Sequence, residues 1–185
     1  VFSLSPAALS GAAVQMVAHG LSVSALFLLI AHVERQGRAS GVDDFGGLAN
    51  RAPFLALLFI AAALASAGLP GTANFIGELL LLLGISQGLG LWWAAIAGVS
   101  VILGAVYLLT LVQRWFFGRE GLRSEAVGEV DPRTATAAGL LLAGALAFGF
   151  YPAPIERAAG PVCQRLALPA PAPAVPAAVT AVEAP

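Results

Sequence analysis

Lysine is absent from this chain, and all nine of its basic residues are arginine. That excludes a Schiff-base lysine, a phosphate-loop lysine and a buried catalytic lysine within the sequence. Charge of either sign is scarce. Charged residues make up 10% of the 185, where a soluble domain carries about 25%. So few charges cannot cover a water-facing surface. With 59% hydrophobic residues and a mean hydropathy of +0.89, the chain reads as an integral membrane protein in contact with a lipid bilayer. The net charge of −1 leaves no basic patch, which excludes nucleic acid as a partner. The single cysteine, Cys163, excludes an internal disulfide, a Cys-rich zinc site and an iron–sulfur cluster, and its surroundings hold nothing to activate it. There is no HExxH, GxGxxG, CxxC or Ser-His-Asp arrangement, and no metal site is expected. Val1 opens the chain inside an apolar run with no basic leader before it. The expectation is the tail end of a longer protein.

What is present is apolar sequence in four long segments, at about 6–32, 53–87, 91–117 and 134–151. A spanning helix needs about 20 apolar residues, and lipid-exposed backbone must satisfy its own hydrogen bonds, so each segment is expected to be helical. The predicted fold is all-α: a polytopic membrane helix bundle of about four transmembrane helices. The second segment is too long for one straight crossing. In the third, Trp92 and Trp93 open the helix and Trp115, Phe116 and Phe117 close it, which reads as an aromatic belt at each interface. Ala94/Gly98 and Gly139/Ala143 read as close helix contacts. The first and third loops hold Arg35, Arg38, Arg51, Arg119, Arg123 and Arg133, and Arg114 lies at the end of the third segment. This excess of arginine places those loops in the cytoplasm and the C-terminus outside. The stretch 41–51 reads as a polar, Gly-broken loop whose Asp43 and Asp44 cap a turn rather than bind metal. Residues 155–168 read as a short interfacial helix. From Pro169 onward the chain is Pro/Ala-rich and of low complexity. The division is 1–152 as transmembrane region and 153–185 as an extramembrane tail.

The second segment carries the chemistry. Gly68-Leu69-Pro70-Gly71-Thr72 falls near its centre, where a proline removes a helix hydrogen bond and two glycines permit non-helical backbone. Unwound backbone at membrane depth is tolerated where it lines protein or a water-filled cavity, as at the ion sites of transporters. The expectation is a discontinuous helix, with Pro70, Thr72 and Asn74 lining a channel. Glu78 follows, the only acid within any of the four segments. A carboxylate at a helix centre costs on the order of 3 kcal/mol on insertion scales, so Glu78 reads as a proton carrier rather than an interhelical hydrogen-bonding group. Counted along the helix, it lies roughly 12 Å of rise beyond Pro70, in the outer half of the membrane. His19 sits near the midpoint of the first segment and shares a face with Gln15 and Ser22 at i, i+4, i+7 spacing. It reads as a relay at the midplane, against the plainer possibility of a histidine bonded to backbone. His32 reads as interfacial. Tyr107 and Thr110 form a weaker polar stripe on the third segment.

At these residues the chain resembles a known family. The strings GAAVQMVAHGLSVSALFLL (11–29), GVDDFGGLA (41–49), GLPGTANFIGELLLLLG (68–84) and GAVYLLTLVQRWFFG (104–118) resemble, in order and spacing, the C-terminal part of the antiporter-like family of respiratory complex I, in particular subunit M. The resemblance covers about residues 1 to 155. It implies a fourteen-helix antiporter-like fold of which this chain is the last four helices, with the broken helix belonging to the C-terminal half-channel. It implies the activity of a translocase, the proton-translocating NADH–quinone oxidoreductase, with His19 on the polar axis and Glu78, at a position where sibling subunits carry lysine, at the outward exit. The input residues, a Glu/Lys pair and a further lysine, would lie upstream. No cofactor is implied in this chain; NADH, FMN, iron–sulfur clusters and quinone belong to partner subunits. The implied partners are the other membrane-arm subunits, especially the antiporter-like L and N, and the implied location is the bacterial inner membrane, multi-pass. The rival readings are a cation/proton antiporter or membrane-bound hydrogenase subunit on the same fold, and a purely structural spacer. The Pro/Ala-rich tail is not a feature of the resemblance.

Overall fold

The structure is a computed structural model that describes residues 5–167. The low-complexity stretch from Pro169 lies outside the described residues. Among the described residues, seven α-helices follow one another: α1 Pro6–Gly37, α2 Leu48–Arg51, α3 Pro53–Ser66, α4 Ala73–Gly88, α5 Leu91–Phe117, α6 Pro132–Phe150 and α7 Ala153–Leu166. Helices α1, α5 and α6 are long and apolar enough to cross a membrane. Helices α3 and α4, of 14 and 16 residues, are each too short. Together they take the length of one interrupted crossing, with α3 beside one end of α5 and α4 beside the other. The bundle therefore has four crossings with the second discontinuous, as the sequence pattern requires.

The helix ends follow from local chemistry. Ser5 caps α1 by accepting the Ala8 N–H at 3.2 Å, and Pro6 occupies the first helical position, where a missing N–H costs nothing. The helix runs five residues past the expected end at His32 and stops at Arg38, the one non-glycine described residue with positive φ, at 51°. Asp131 caps α6 by accepting the Thr134 N–H at 3.0 Å, ahead of Pro132. The cap of α3 comes from far along the chain: Glu129 accepts the Phe54 and Leu55 N–H groups, each at 3.0 Å. A carboxylate at a helix N-terminus also complements the helix dipole.

Helix α4 runs antiparallel to α1 with almost no spacing. A Cβ on Gly84 would strike Ala8, one on Gly11 would lie 2.7 Å from the Leu81 amide, and one on Gly77 would strike Gln15. These are the small residues that allow close approach. Gly98 and Gly139, expected to do so, have open space where a Cβ would sit. Spacing alone could not tell which face of each helix had a partner.

The aromatic belt also needs correction. Trp92 and Trp93 are exposed, at 84% and 59%, as a belt requires, but Trp115 and Phe116 are buried at 3% and 1%. They form the core with Phe45 and Phe59: Phe59 stacks on Phe116 at 4.9 Å between centroids, and Phe45 meets Trp115 edge-on at 5.1 Å. The Trp115 indole donates to the Val42 carbonyl at 3.2 Å, which satisfies its polar handle. The reason is the loop 41–51, read from sequence as polar. It forms a short 3₁₀ turn at Val42–Asp44 and the single turn α2, and folds Phe45 and Leu48 inward. Asp44 caps that turn by accepting the Gly41 N–H at 3.0 Å. Ser124 then ties this loop to the loop after α5, accepting the Gly46 N–H at 2.8 Å and donating to the Gly46 carbonyl at 2.7 Å. The two arginine-bearing loops thus share one face of the bundle.

Candidate functional site: a cavity beside the broken helix

The interruption spans residues 67–72. Its first half is a Schellman stop, in which the Leu69 N–H reaches the Leu64 carbonyl at 3.0 Å and the Gly68 N–H reaches Ala65 at 3.3 Å. The motif needs a left-handed residue, supplied by Gly68 at φ 76°. A turn follows, in which both the backbone N–H and the hydroxyl of Thr72 are donated to the Leu69 carbonyl, at 3.0 and 2.7 Å. The Schellman bonds close the end of α3, and the Thr72 turn leads directly into α4.

Glu78 lies in the second turn of α4, and its carboxyl packs directly against Gly68, where a Cβ would collide with Oε2. Helical side chains tilt toward the N-terminus, so the carboxyl returns to the level of the break. Counting rise from Pro70 overestimates its distance from the break for this reason. Gln15 of α1 lies beside this carboxyl on the wall of the same cavity. A cavity of about 330 Å³ opens here, and its walls include Gln15 and His19 from α1, Ser66 from α3, Glu78 from α4, and Ser100 and Tyr107 from α5. His19 is one turn along α1 from Gln15, so the two potential proton groups, Glu78 and His19, face one shared space with Gln15 between them.

The other residues singled out from the sequence lie elsewhere. Asn74 and Ser22 are fully buried in a staple rather than on the cavity wall: the Asn74 amide donates to Ser22 Oγ at 2.8 Å and to the Ala65 carbonyl at 2.7 Å, joining α4, α1 and α3. Thr72 is buried in its turn, and Pro70 is exposed on the outside of the break. The Thr110 hydroxyl bonds back to the Val106 carbonyl at 2.7 Å and is exposed, away from the cavity. Ser66 was missed. It precedes the Gly-Leu-Pro-Gly string, and a serine in an alanine-rich helix gives no signal until the break places it on a cavity wall.

His32, expected at an interface, is buried at 2% exposure. Its Nε2 lies 3.0 Å from the Gln36 amide nitrogen and its Nδ1 lies 3.6 Å from the Asp131 carboxylate. Hydrogen bonds from Thr134 to Asp131, with lesser help from His32 and Arg35, hold that carboxyl below the ordinary carboxylate range.

The chain has relatives of known type. The sequence profile of the family described as NADH:quinone oxidoreductase/Mrp antiporter, transmembrane, matches residues 2–104. NADH-quinone oxidoreductase subunit M of Rhodobacter capsulatus is 36% identical over 164 residues, which are 87% of this chain and 31% of that protein. The Rickettsia prowazekii subunit M is 42% identical over 118 residues, 64% of this chain and 24% of that protein. A chain of respiratory complex I from Thermus thermophilus, solved with bound NADH, matches with a TM-score of 0.81 at 32% identity, over 90% of this chain and 35% of that one. The chain thus spans about a third or less of the length of these relatives. Its sequence and its fold agree that this chain belongs to the NADH:quinone oxidoreductase/Mrp antiporter family, as a membrane-embedded, antiporter-like subunit of the complex I type.

Proposed function

We propose that this chain is the exit half-channel of a proton-translocating subunit of NADH–quinone oxidoreductase. Protons pass from His19 at the middle of the membrane, through the cavity, to Glu78, and leave toward the face opposite the arginine-bearing loops. The observation that carries this reading is the shared cavity: the intramembrane acid and the intramembrane histidine line the same space, beside a helix break, with Gln15 on the same wall. A half-buried carboxyl can take up and release a proton as nearby charge moves. An imidazole can accept on one nitrogen and donate on the other.

The energy for the cycle comes from quinone reduction elsewhere in the complex. The redox groups, NADH, FMN, iron–sulfur clusters and quinone, belong to partner subunits; one cysteine cannot hold a cluster that uses four thiolates. The proposed neighbours are the other membrane-arm subunits, the antiporter-like L and N above all. The loop charge favours a bacterial inner membrane with the arginine-bearing face in the cytoplasm and the C-terminus outside.

The test is Glu78→Gln in the assembled complex, in sealed vesicles, with NADH-driven proton translocation measured beside an assembly control. Depressed pumping with intact assembly is expected, and Glu78→Asp should keep much of the activity. Equal, near-normal pumping by the Gln variant would remove Glu78 from the route.

A further inference from the structure

The cavity wall holds two polar atoms that no protein group satisfies. Ser66 Oγ and Gln15 Oε1 are both buried without a hydrogen-bond partner, and their residues line the same cavity as Glu78 and His19. Of the other polar groups at the break, the Thr72 hydroxyl and the Asn74 NH₂ are engaged, and Asn74 Oδ1, buried without a partner, lies off the cavity wall. The Thr72 hydroxyl is given to the Leu69 carbonyl, and the Asn74 amide is given to Ser22 and Ala65. Across the cavity the Ser100 hydroxyl is given to the Ala97 carbonyl. Ser66 is different because the Schellman stop closes the end of α3 through backbone groups alone, which leaves its side chain unused.

Buried polar atoms without partners are unfavourable, and in native proteins they are commonly satisfied by ordered water. A cavity of about 330 Å³ has room for several molecules, since the share of one water in the liquid is about 30 Å³. The chemistry of the two atoms is complementary. Gln15 Oε1 is an amide oxygen and can only accept, whereas a serine hydroxyl both accepts and donates.

We propose that Ser66 is a positioning residue of the proton route: with Gln15 Oε1 it fixes an ordered water in the cavity between His19 and the Glu78 carboxyl. The water is oriented by donating to Gln15 and exchanging a hydrogen bond with Ser66. A proton that arrives from His19 forms a new O–H bond on this water as the water releases another proton to Glu78. The water is regenerated, nothing is oxidised or reduced, and charge moves without a direct His19–Glu78 contact. This inference rests on the proton-exit reading above.

The experiment compares Ser66→Ala, Ser66→Thr and Glu78→Gln in the whole complex in vesicles, each with an assembly control. The readouts are protons moved per NADH oxidised and the pH profile of pumping. Ser66→Ala should lower pumping roughly fivefold, as loss of one hydrogen bond on the route would, and shift the pH profile. Ser66→Thr, which keeps the hydroxyl, should restore at least half. Normal pumping and an unshifted profile in Ser66→Ala, alongside a defective Glu78→Gln, would overturn the positioned water and leave Glu78 standing. Normal pumping in both would overturn the exit reading and this inference with it. Equal loss in Ser66→Ala and Ser66→Thr would show that the hydroxyl is not the active element. Should Ser66→Ala fail to assemble, Ser66→Cys, similar in size but a weak donor, is read by the same criteria.

Discussion

Replacing Gly68 by alanine separates backbone strain from the placement of Glu78. Gly68 holds φ 76°, and an L-residue in that region costs about 1–2 kcal/mol. The new Cβ would also meet the Glu78 carboxyl. The backbone there is fixed by the Schellman bonds, so the flexible side chain gives way and leaves its seat against Gly68. Gly90→Ala is the matched control: Gly90 sits at φ 100°, yet nothing lies within 4 Å of its added Cβ. Both variants should lower the thermal stability of the detergent-extracted complex by a similar amount. Only Gly68→Ala should also lower proton pumping, by about tenfold if the displaced carboxyl costs the transfer step ~1.4 kcal/mol. The assay is NADH-driven proton translocation in vesicles, normalised to assembled complex. Gly68→Ala that pumps like Gly90→Ala would refute the argument that this glycine exists to seat the carboxyl.

Further outcomes follow from the packing. Asn74→Leu removes both arms of the staple to Ser22 and Ala65, and should cost about 2 kcal/mol, read as a lower thermal midpoint of the complex. Glu129→Ala uncovers the Phe54 and Leu55 N–H groups and should cost about 1–2 kcal/mol, with faster proteolysis of the loop between α5 and α6. Asp131 is held below its ordinary range by Thr134, so its contribution is present above the ordinary aspartate pKa of about 3.9 and is lost as pH falls through the lowered value. Asp131→Asn should therefore flatten the acid limb of the stability curve; an unchanged limb would contradict this account. Gly84→Leu collides with the α1 backbone at Ala8 and should block assembly, while Gly98→Leu meets open space in the described residues and should be tolerated.

Much of the architecture was legible from one-dimensional chemistry. Long apolar runs with few charges must be membrane helices, since no other local structure satisfies the backbone in lipid, and α5 spans the residues hydropathy marks. Pro70 between two glycines announced the break, because proline has no N–H to give to a helix hydrogen bond and glycine adopts non-helical φ without cost from a Cβ. Glu78 stood out for the same reason: an acid in an apolar helix is too costly to be incidental. What sequence could not decide was which faces meet. Trp115 and Phe116 read as an interfacial belt, yet the fold of the loop 41–51 buries them. Gly98 and Gly139 match the small-residue pattern as well as Gly84 does, but only Gly84 meets another helix. Asn74 and Ser22 look like channel residues by polarity and form a buried tie instead, whereas Ser66 had no signal until the break turned it to the cavity. Hydropathy and backbone permissiveness are properties of each residue and its neighbours in the chain, so the sequence alone determined the helices, the break and the acid. Burial, close approach and the sharing of a cavity depend on how helices rotate against one another, and only the tertiary structure decided them.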